Sequence, residues 1–430
     1  MRRIVLVLLN ILSAFCFCYA QTGVWSGTIE VQGVKLPLVL HLDEDNPMVD
    51  SPAQGVRGIP MKFNMVTSDS IDVTIPMIGA TFNGRFQDDK IVGIFSQRGI
   101  KLPLILQRGE SVARRPQTPV APFPYSQEDV SFSNGDAVLK GTLTLPEGYS
   151  RTTPIVIMIT GSGLQNRDEE LFEHKPFAVI ADALARNGVA SLRYDDRGFG
   201  ESSGDVVNCT TEDLKNDALA GIELLRQRFD HVGVLGHSEG GTIAFILGAD
   251  NKCDFIISMA GMIVSGAETL MAQNKYALAR AGYPQQTADE YCELLSSAFR
   301  GDDALASKVS SSALPLELKQ NLMAGLGQLA TPYMQYFINL DIRDILPDIS
   351  CPVLALNGTK DAQVFHAENF DALKKGLPSN DLHRFMEPEG LNHLFQHCET
   401  GAVTEYGTIE ETISPEVLMT IYQWIKQIYE

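Results

Sequence analysis

Two regions of the chain differ in the spacing of their hydrophobic residues. Residues 22 to about 112 alternate apolar and polar positions, with frequent Gly and Pro and no helical period, a pattern typical of β-strands. Beyond residue 127, short apolar runs alternate with segments whose apolar residues recur every three or four positions. Strands that alternate with helices form parallel sheets. The pattern therefore predicts a small all-β domain followed by an α/β domain with a doubly wound, mostly parallel sheet.

The all-β region, residues 21–112, contains an internal repeat. The segment Gly27–Leu40 recurs 66 residues later as Gly93–Leu106 without a gap, and both copies are interpreted as hairpins that turn at Gly33 and Gly99. A single hairpin cannot bury its apolar face alone. We therefore expect the first and last hairpins to meet in a small sandwich or barrel closed by the intervening strands. Its role stays open between a structural or substrate-presenting appendage and a ligand-binding module.

The α/β region, residues 127–430, follows a linker at residues 113–126 that is rich in proline and is predicted to be extended and semi-rigid. Residues 262–349, approximately, have Ala, Leu and Met at helical spacing and no strand signal. This segment predicts a helical cap, which either bounds a substrate pocket or forms an extra layer away from the chemistry. The predicted strands are Leu139–Leu145, Pro154–Thr160, Val189–Tyr194, Val232–Gly236, Asp254–Met259, Pro352–Asn357 and Leu382–Met386.

The first twenty residues predict a secretory signal peptide. Two arginines precede the apolar run Ile4–Cys18, and the small residue Ala20 offers a cleavage site. The run is too short for an ordinary membrane span. We therefore expect cleavage near Ala20 and a secreted or periplasmic protein without stable membrane insertion. Lipid anchoring is the less favoured alternative, because phenylalanine precedes each of the two cysteines in the run.

Composition narrows the classes of partner. The chain is 44% hydrophobic and 20% charged, which is typical of globular proteins. Its formal charge of -19 disfavours binding to nucleic acid, whose phosphates would be repelled. The cysteines after residue 20 form no Cys-x-x-Cys pair, so we expect core thiols, at most one disulfide and no zinc site. These cysteines are Cys209, Cys253, Cys292, Cys351 and Cys398.

A possible nucleophile lies in a glycine-rich turn. Gly236-His-Ser238-Glu239-Gly240 is a G-x-S-x-G pattern between an apolar strand and a predicted helix that begins near Thr242. Such a turn raises the serine on a sharp elbow, where its Oγ can reach a substrate. The backbone N–H of Glu239 can then stabilise an oxyanion. We therefore predict that Ser238 is the nucleophile of a hydrolase.

A serine hydroxyl needs a base and an acid that orients the base. Asp361 follows the sixth predicted strand and His393 follows the seventh, so both lie at the carboxyl ends of strands. We predict that His393 is the general base and that Asp361 orients it, in the chain order Ser, Asp, His. His397 is the alternative base. His237, beside the nucleophile, is predicted to be structural.

The loop after the second predicted strand is expected to supply the second oxyanion donor. Ser162 is the first choice for this backbone N–H, and Gly163 is next. The acidic run Asp168–Glu170 is interpreted as a solvated face. The paired acids Asp195 and Asp196 resemble metal ligands, but their position after a strand favours a buried, ion-paired turn. No metal site and no cofactor are predicted.

From about residue 128 to its end, the chain resembles the α/β-hydrolase superfamily, near the branch of serine aminopeptidase-like and monoacylglycerol-lipase-like hydrolases. With its all-β domain included, the whole chain is similar to secreted hydrolases of Bacteroidetes-like bacteria that are usually labelled esterases. In one departure, Thr160-Gly161 replaces the usual His-Gly of the oxyanion loop. The motifs that carry the resemblance are Thr160–Gly163, Asp196–Gly200, Gly236–Gly240, the Asp361 loop and Asn392-His393.

The resemblance implies a carboxylic ester hydrolase that forms an acyl-enzyme on Ser238 and needs no cofactor. Its expected partner is a small-molecule ester, with an acylated glycan as one option. Two alternatives stay open. One is a serine peptidase of the aminopeptidase type that acts on short peptides, and the other is a catalytically inactive binding protein built on a hydrolase scaffold.

Overall fold

The computed structural model describes residues 22–31, 34–43, 45–51, 56–109 and 115–429. The predicted signal peptide and the predicted turn at Gly33 lie outside these residues. The chain divides into two compact units. The first comprises the chain up to Arg115 with the segments Leu171–Glu173 and Thr404–Glu410, and the second comprises Pro116–Glu170, His174–Val403 and the chain from Glu411 onward.

The first unit is built on an antiparallel sheet of nine strands, as the alternating sequence pattern predicted. The strands lie in the order β4-β3-β2-β1-β9-β8-β7-β6-β5. They are Gly23–Val31 (β1), Val34–Leu42 (β2), Met48–Ser51 (β3), Val56–Pro60 (β4), Lys62–Val66 (β5), Ser70–Ile75 (β6), Ala80–Gln87 (β7), Lys90–Gln97 (β8) and Ile100–Arg108 (β9).

The first and last hairpins meet, which confirms that part of the prediction, because Ser26 of β1 pairs with Gln107 of β9. The second hairpin turns at Gly99, where φ is 84°, a conformation that favours glycine. The two end strands, β4 and β5, are separated only by Met61, so the sheet curls towards closure. No ladder joins these two strands among the described residues. The unit is therefore a near-barrel rather than a closed barrel.

One face of this sheet buries the apolar side chains, including Trp25 and Phe82. Strands β7 and β8 approach closely at Gly93, where a Cβ would lie 2.2 Å from the backbone oxygen of Asn83. Any larger residue at this position would force the two strands apart.

The second unit contains a mixed sheet of eight strands in the order β10-β11-β13-β12-β14-β15-β16-β17. Six neighbouring strands, β12 to β17, are parallel, whereas β10 and β11 form an antiparallel edge. The sequence pattern missed β10 because most of its side chains are exposed or half-buried. The strands are Ser126–Asn134 (β10), Ala137–Leu145 (β11), Ile155–Ile159 (β12), Ala190–Tyr194 (β13), Val232–His237 (β14), Ile256–Met259 (β15), Val353–Leu356 (β16) and Arg384–Met386 (β17).

Helices cover both faces of this sheet, which is the doubly wound arrangement predicted from the sequence. Alternate residues of β12 enter different cores: Ile157 packs with α2, α3 and α9, whereas Met158 packs with α1 and α11. The helices are Pro176–Arg186 (α1), Thr211–Arg226 (α2), Glu239–Ala249 (α3), Gly266–Arg280 (α4), Gln285–Phe299 (α5), Leu305–Ser311 (α6), Leu316–Leu329 (α7), Pro332–Asn339 (α8), His366–Gly376 (α9), Val403–Tyr406 (α10) and Pro415–Tyr429 (α11).

The segment predicted as a helical cap lies between β15 and β16. It contains α4 to α8 and a short 3-10 helix, Arg343–Asp348, and no strand among its residues, all of which the structure describes. Helices α4 to α7 share an apolar core of their own, so the cap is a packed substructure. In the part of the chain that is described, no helix combines the length and apolarity needed to cross a bilayer.

Candidate active site

Ser238 lies on a sharp elbow between β14 and α3, with φ of 53° and ψ of -119°. This conformation is uncommon for a residue with a side chain and is typical of strained functional positions. Two glycines make the turn possible. A Cβ on Gly236 would lie 2.0 Å from the backbone oxygen of Gly240, and one on Gly240 would lie 2.1 Å from that of Ile159. The helix begins at Glu239 rather than near Thr242, so the Glu239 N–H is at its first turn.

His393 and Asp361 form a buried pair, each side chain belonging to a residue that is 4% exposed. His393 Nδ1 lies 2.7 Å from Asp361 Oδ2. The other carboxylate oxygen accepts hydrogen bonds from the backbone N–H groups of Gln363 and Val364, at 2.8 and 2.9 Å. The carboxylate is thus held on both oxygens, and Nε2 of His393 is left for proton transfer.

The alternative base, His397, lies elsewhere. Its side chain is 65% exposed and its Nδ1 lies 2.8 Å from Glu411 Oε2. His393, in contrast, lies next to the elbow. Its imidazole ring has its centroid 4.7 Å from that of His237, the residue directly before Ser238. In the described chain, Ser238 Oγ makes no direct hydrogen bond to His393. Catalytic hydrogen bonds are often long or poorly aligned in hydrolase sites without substrate.

His237 is a buried link between strand β14, which precedes Ser238, and His393, the predicted base. Its Nδ1 lies 2.9 Å from Glu169 Oε1, and its Nε2 lies 2.9 Å from the backbone oxygen of His393. A backbone oxygen only accepts and a carboxylate accepts, so this geometry favours an imidazole that donates from both ring nitrogens and is charged. Burial lowers the pKa of His237, but the charge and hydrogen bond of Glu169 outweigh it, and the net shift is upward. The geometry gives His237 the structural position predicted for it.

The prediction that Asp168–Glu170 is a solvated face is wrong for two of the three residues. Glu169 is 1% exposed, and Asp168 is ion-paired with Arg193. Besides His237, Glu169 Oε1 accepts the backbone N–H of Gly161 at 2.9 Å. A Cβ on Gly161 would lie 3.1 Å from Ser238 Cβ. Glu169 therefore holds the predicted oxyanion loop against Ser238, a contact that no local sequence signal indicated.

The oxyanion loop is anchored at both ends of its exposed centre. Thr160 Oγ1 donates to both oxygens of Asp196, at 3.0 and 2.9 Å, and the Gln165 N–H donates to Asp196 Oδ2 at 2.7 Å. Burial raises the pKa of Asp196 to about 8, although these hydrogen bonds oppose the rise. Ser162 and Gly163 lie between the anchors and are exposed. Thr160, which replaces the usual histidine, thus anchors the loop to Asp196.

The segment after β13 is the buried, ion-paired turn that the sequence predicted. Arg167 Nη2 lies 2.7 Å from Asp195 Oδ2. Arg197 Nη2 lies 2.7 Å from Asp217 Oδ1, and both of these side chains are buried. Among the described residues, no group of three or more His, Cys, Asp or Glu side chains is arranged to hold a metal ion.

The side chain of Glu239 is buried and joins three elements. It is 2% exposed. Its Oε1 accepts the Thr211 hydroxyl at 2.7 Å, and its Oε2 accepts the hydroxyl of Tyr333 from cap helix α8. Burial raises the pKa of Glu239 against these hydrogen bonds. Tyr333 was missed by sequence reasoning, because nothing in the spacing of the cap helices indicates which residue reaches the elbow.

Two further features of this unit involve the cap helices. A small cluster, named here the α8 cluster, lies beside the triad loops, with Val364 only three positions after Asp361. A separate cavity of about 540 Å³ lies between α4, α5 and α9, and none of the three triad residues lines it. The α8 cluster comprises Met262, Phe337 and Val364, with Leu270, Tyr333 and Met334 partly buried against them.

The sequence model of the family "Serine aminopeptidase, S33" matches residues 173–396, which is more than half of the chain and includes Ser238, Asp361 and His393. The chain belongs to this hydrolase family. It is therefore an α/β-hydrolase, as the resemblance implied. Gly161, Ser162 and Glu169 precede the matched residues.

Two curated proteins resemble this hydrolase. Esterase EstD of Thermotoga maritima is 28% identical over 281 residues, which cover 64% of this chain and 61% of the esterase. Serine hydrolase BPHL of Mus musculus is 24% identical over 221 residues, which cover 51% of this chain and 68% of that protein. The chain thus spans less than two thirds of the length of the esterase.

Solved structures resemble part of the chain at low scores. Proline iminopeptidase of Mycobacterium smegmatis is 15% identical with a TM-score of 0.44, over 70% of this chain and 98% of that chain. Est1E of Butyrivibrio proteoclasticus, solved with ferulic acid bound, is 15% identical with a TM-score of 0.43, over 70% of this chain and 100% of that chain. These scores are too low to bear on the function of this hydrolase.

Proposed function

We propose that this hydrolase cleaves carboxylic esters through an acyl-enzyme on Ser238. The observation that carries the proposal is the buried pair of His393 and Asp361, with 2.7 Å between Nδ1 and Oδ2, next to a strained serine elbow. The pair fixes the imidazole tautomer, so that Nε2 is the basic nitrogen.

Each step of the proposed reaction has a group in place. Ser238 Oγ attacks the ester carbonyl carbon as its proton passes to His393 Nε2. The bond to the alcohol oxygen then breaks, and His393 returns the proton to that oxygen. Water repeats the sequence on the acyl-enzyme, which releases the acid and restores the serine.

The oxyanion that forms at each step needs preorganised donors. The Glu239 N–H is one, because it lies at the first turn of α3, where backbone N–H groups have no partner within the helix. The second donor is the backbone N–H of Ser162 or Gly163, in the exposed part of the loop that Asp196 and Glu169 anchor.

The α8 cluster supports an acyl group as the part of the substrate that this site binds. Its partly buried members, Leu270, Tyr333 and Met334, offer apolar surface beside the Asp361 loop. We propose small or medium acyl esters, with an acylated glycan as one class. The similarity to an esterase agrees with this substrate chemistry.

A peptidase is the second candidate, because the matched family is described as serine aminopeptidase. An aminopeptidase needs an acidic group that can pair with the substrate's α-ammonium. Three carboxylates of the described site already have protein partners: Glu169 with His237, Asp361 with His393, and Glu239 with Thr211. This arrangement favours the ester as substrate.

The test compares p-nitrophenyl esters, from acetate to decanoate, with aminoacyl p-nitroanilides. We expect ester turnover with a chain-length optimum that Ser238→Ala and His393→Ala abolish and that the matched control His397→Ala retains. Faster release of p-nitroaniline would reverse the assignment in favour of a peptidase. Absence of turnover together with absence of Ser238 labelling by a fluorophosphonate would indicate an inactive binding protein.

Export is proposed on the signal-like composition of residues 1–20, which lie outside the described residues. Expression of the full chain in a bacterial host, followed by amino-terminal sequencing of the periplasmic fraction, tests it. A mature protein that begins near Gln21 supports export, and an uncleaved cytoplasmic protein contradicts it.

A further inference from the structure

Cap helix α8 reaches the nucleophile elbow through one side chain. The Tyr333 hydroxyl donates a hydrogen bond to Glu239 Oε2, and Glu239 is the residue directly after the nucleophile. The other oxygen of the same carboxylate is held by the Thr211 hydroxyl at 2.7 Å. The carboxylate therefore connects α2, the elbow and the cap, and it has no freedom to rotate.

The same hydroxyl also faces the oxyanion loop. Burial raises the pKa of Tyr333, and the Ser162 side chain and the Gly163 backbone N–H each oppose this rise, which is the effect of polar groups close to the phenol oxygen. The two segments proposed to supply oxyanion donors, Glu239 on one side and Ser162 to Gly163 on the other, thus meet at one phenol group. Besides this contact, hydrogen bonds among the described residues hold the loop on either side of its exposed centre, where Thr160 and Gln165 bind Asp196 and the Gly161 N–H binds Glu169.

We infer that Tyr333 is a positioning residue that sets the direction of the oxyanion donors on both sides of Ser238. The inference rests on the proposed hydrolysis at Ser238. Oxyanion donors lower the barrier because they are already aimed at the developing charge and need not reorient during the reaction. Gly163 has φ of 90° and no atom within 4 Å of an added Cβ, so its own packing does not hold it in place.

The test compares Tyr333→Phe with Tyr336→Phe. Both tyrosines lie on α8, and the Tyr336 hydroxyl donates to Glu212 Oε2 at 3.2 Å, so the control removes a similar bond from the same helix away from the elbow. Losing a donor outright costs roughly 100- to 1,000-fold in kcat. A donor that is still present but points in the wrong direction should lower kcat about tenfold or more.

We expect Tyr333→Phe to lower kcat on p-nitrophenyl butyrate at least tenfold while KM changes less than twofold, and Tyr336→Phe to leave both near wild type. A change in KM alone would make Tyr333 a substrate-binding residue and overturn the inference. An unchanged kcat would overturn it as well.

A second readout does not depend on the choice of ester. A fluorophosphonate phosphonylates Ser238 with loss of fluoride, and its phosphoryl oxygen takes the place of the oxyanion. The labelling rate should fall in Tyr333→Phe in proportion to kcat, with thermal unfolding unchanged. Absence of ester turnover in wild type, with normal labelling, would remove the proposed substrate but still leave the labelling rates to decide the role of Tyr333.

Discussion

Replacing Glu169 by Gln removes a buried charge while keeping an oxygen as acceptor. In the wild type, Glu169 Oε1 accepts both the Gly161 N–H and the His237 Nδ1–H, each at 2.9 Å. The geometry favours a charged His237, because its other nitrogen lies 2.9 Å from the backbone oxygen of His393, which can only accept. The substitution therefore leaves His237 without its counter-charge in a site that excludes water.

The loss of folding stability in Glu169→Gln can be estimated from the two hydrogen bonds that Glu169 Oε1 accepts. A hydrogen bond to a charged group contributes roughly 1.5–3 kcal/mol, against about 1 kcal/mol for a neutral one. Two such bonds to one oxygen give an expected destabilisation of about 2 kcal/mol. Glu169→Ala removes both acceptors and leaves His237 without its counter-charge, which raises the loss to about 4 kcal/mol.

The sign of the pH dependence follows from the raised pKa of His237. A group whose pKa is higher in the folded state stabilises the fold fully below its unfolded value, about 6.5 for histidine. This stabilisation is lost as the pH rises through the folded pKa. The difference in the free energy of unfolding between wild type and Glu169→Gln should therefore be largest below about pH 6.5 and shrink as the pH rises through the folded pKa of His237.

Urea unfolding can report on the second unit alone. The chain has two tryptophans, Trp25 in the first unit and Trp424 in the second. A Trp25→Phe background makes fluorescence specific for the unit that holds Glu169, which is needed because two units do not unfold as one transition. Glu170→Gln is the control, because its pair with Lys175 spans 3.6 Å on the surface and contributes little. A difference for Glu169→Gln below about 0.5 kcal/mol, or one that widens with pH, would refute a charged His237.

Three further predictions concern other parts of the chain. Asp361→Asn keeps the fold but favours the wrong imidazole tautomer, so kcat on p-nitrophenyl butyrate should fall by roughly 1,000- to 10,000-fold with little change in thermal unfolding. Gly240→Ala places a Cβ 2.1 Å from the last carbonyl oxygen of β12, and circular dichroism should show a poorly folded, inactive protein. Gly93→Ala places a Cβ 2.2 Å from the Asn83 oxygen. The unfolding transition reported by Trp25 should move to lower urea, with a loss of more than about 2 kcal/mol in the free energy of unfolding of the first unit. The transition reported by Trp424 should stay unchanged.

The elbow could be predicted because its causes are local. Gly236 and Gly240 are needed by the turn itself, and the turn fixes where Ser238 projects. Asp361 and His393 could be located because each directly follows a strand of a parallel sheet, and the carboxyl ends of such strands share one edge. Short-range pattern and topology were enough for these residues.

Glu169 and Tyr333 could not be predicted, because their partners are distant in sequence. Glu169 contacts His237, 68 positions away, and stands in an acidic run whose composition is typical of a surface. Tyr333 contacts Glu239, 94 positions away, and depends on how the cap packs. The sequence shows that a cap exists, but its period of three to four residues does not show which helix turns towards the elbow.

Strand β10 illustrates a different limit. It is an edge strand whose side chains are mostly exposed or half-buried, so apolar alternation is weak. Its pairing with β11 is supplied by backbone hydrogen bonds along nine residue pairs, from Ser126 with Leu145 to Asn134 with Ala137. Backbone pairing leaves little trace in composition, and the proline-rich residues before it favoured an interpretation as linker.

The nine-stranded sheet begins and ends at the same place. The Gly109 N–H donates to the Val24 oxygen at 2.8 Å, and Arg108 Nη2 donates to the Thr22 oxygen at 2.8 Å. A segment whose two ends lie side by side can be inserted into a host loop, or removed from one, with minimal displacement of the flanking chain. The sheet is therefore suited to transfer between proteins as one inserted segment. A short glycine-rich linker from residue 109 to residue 22 would also allow a circular permutant whose new ends lie at the Gly79 turn.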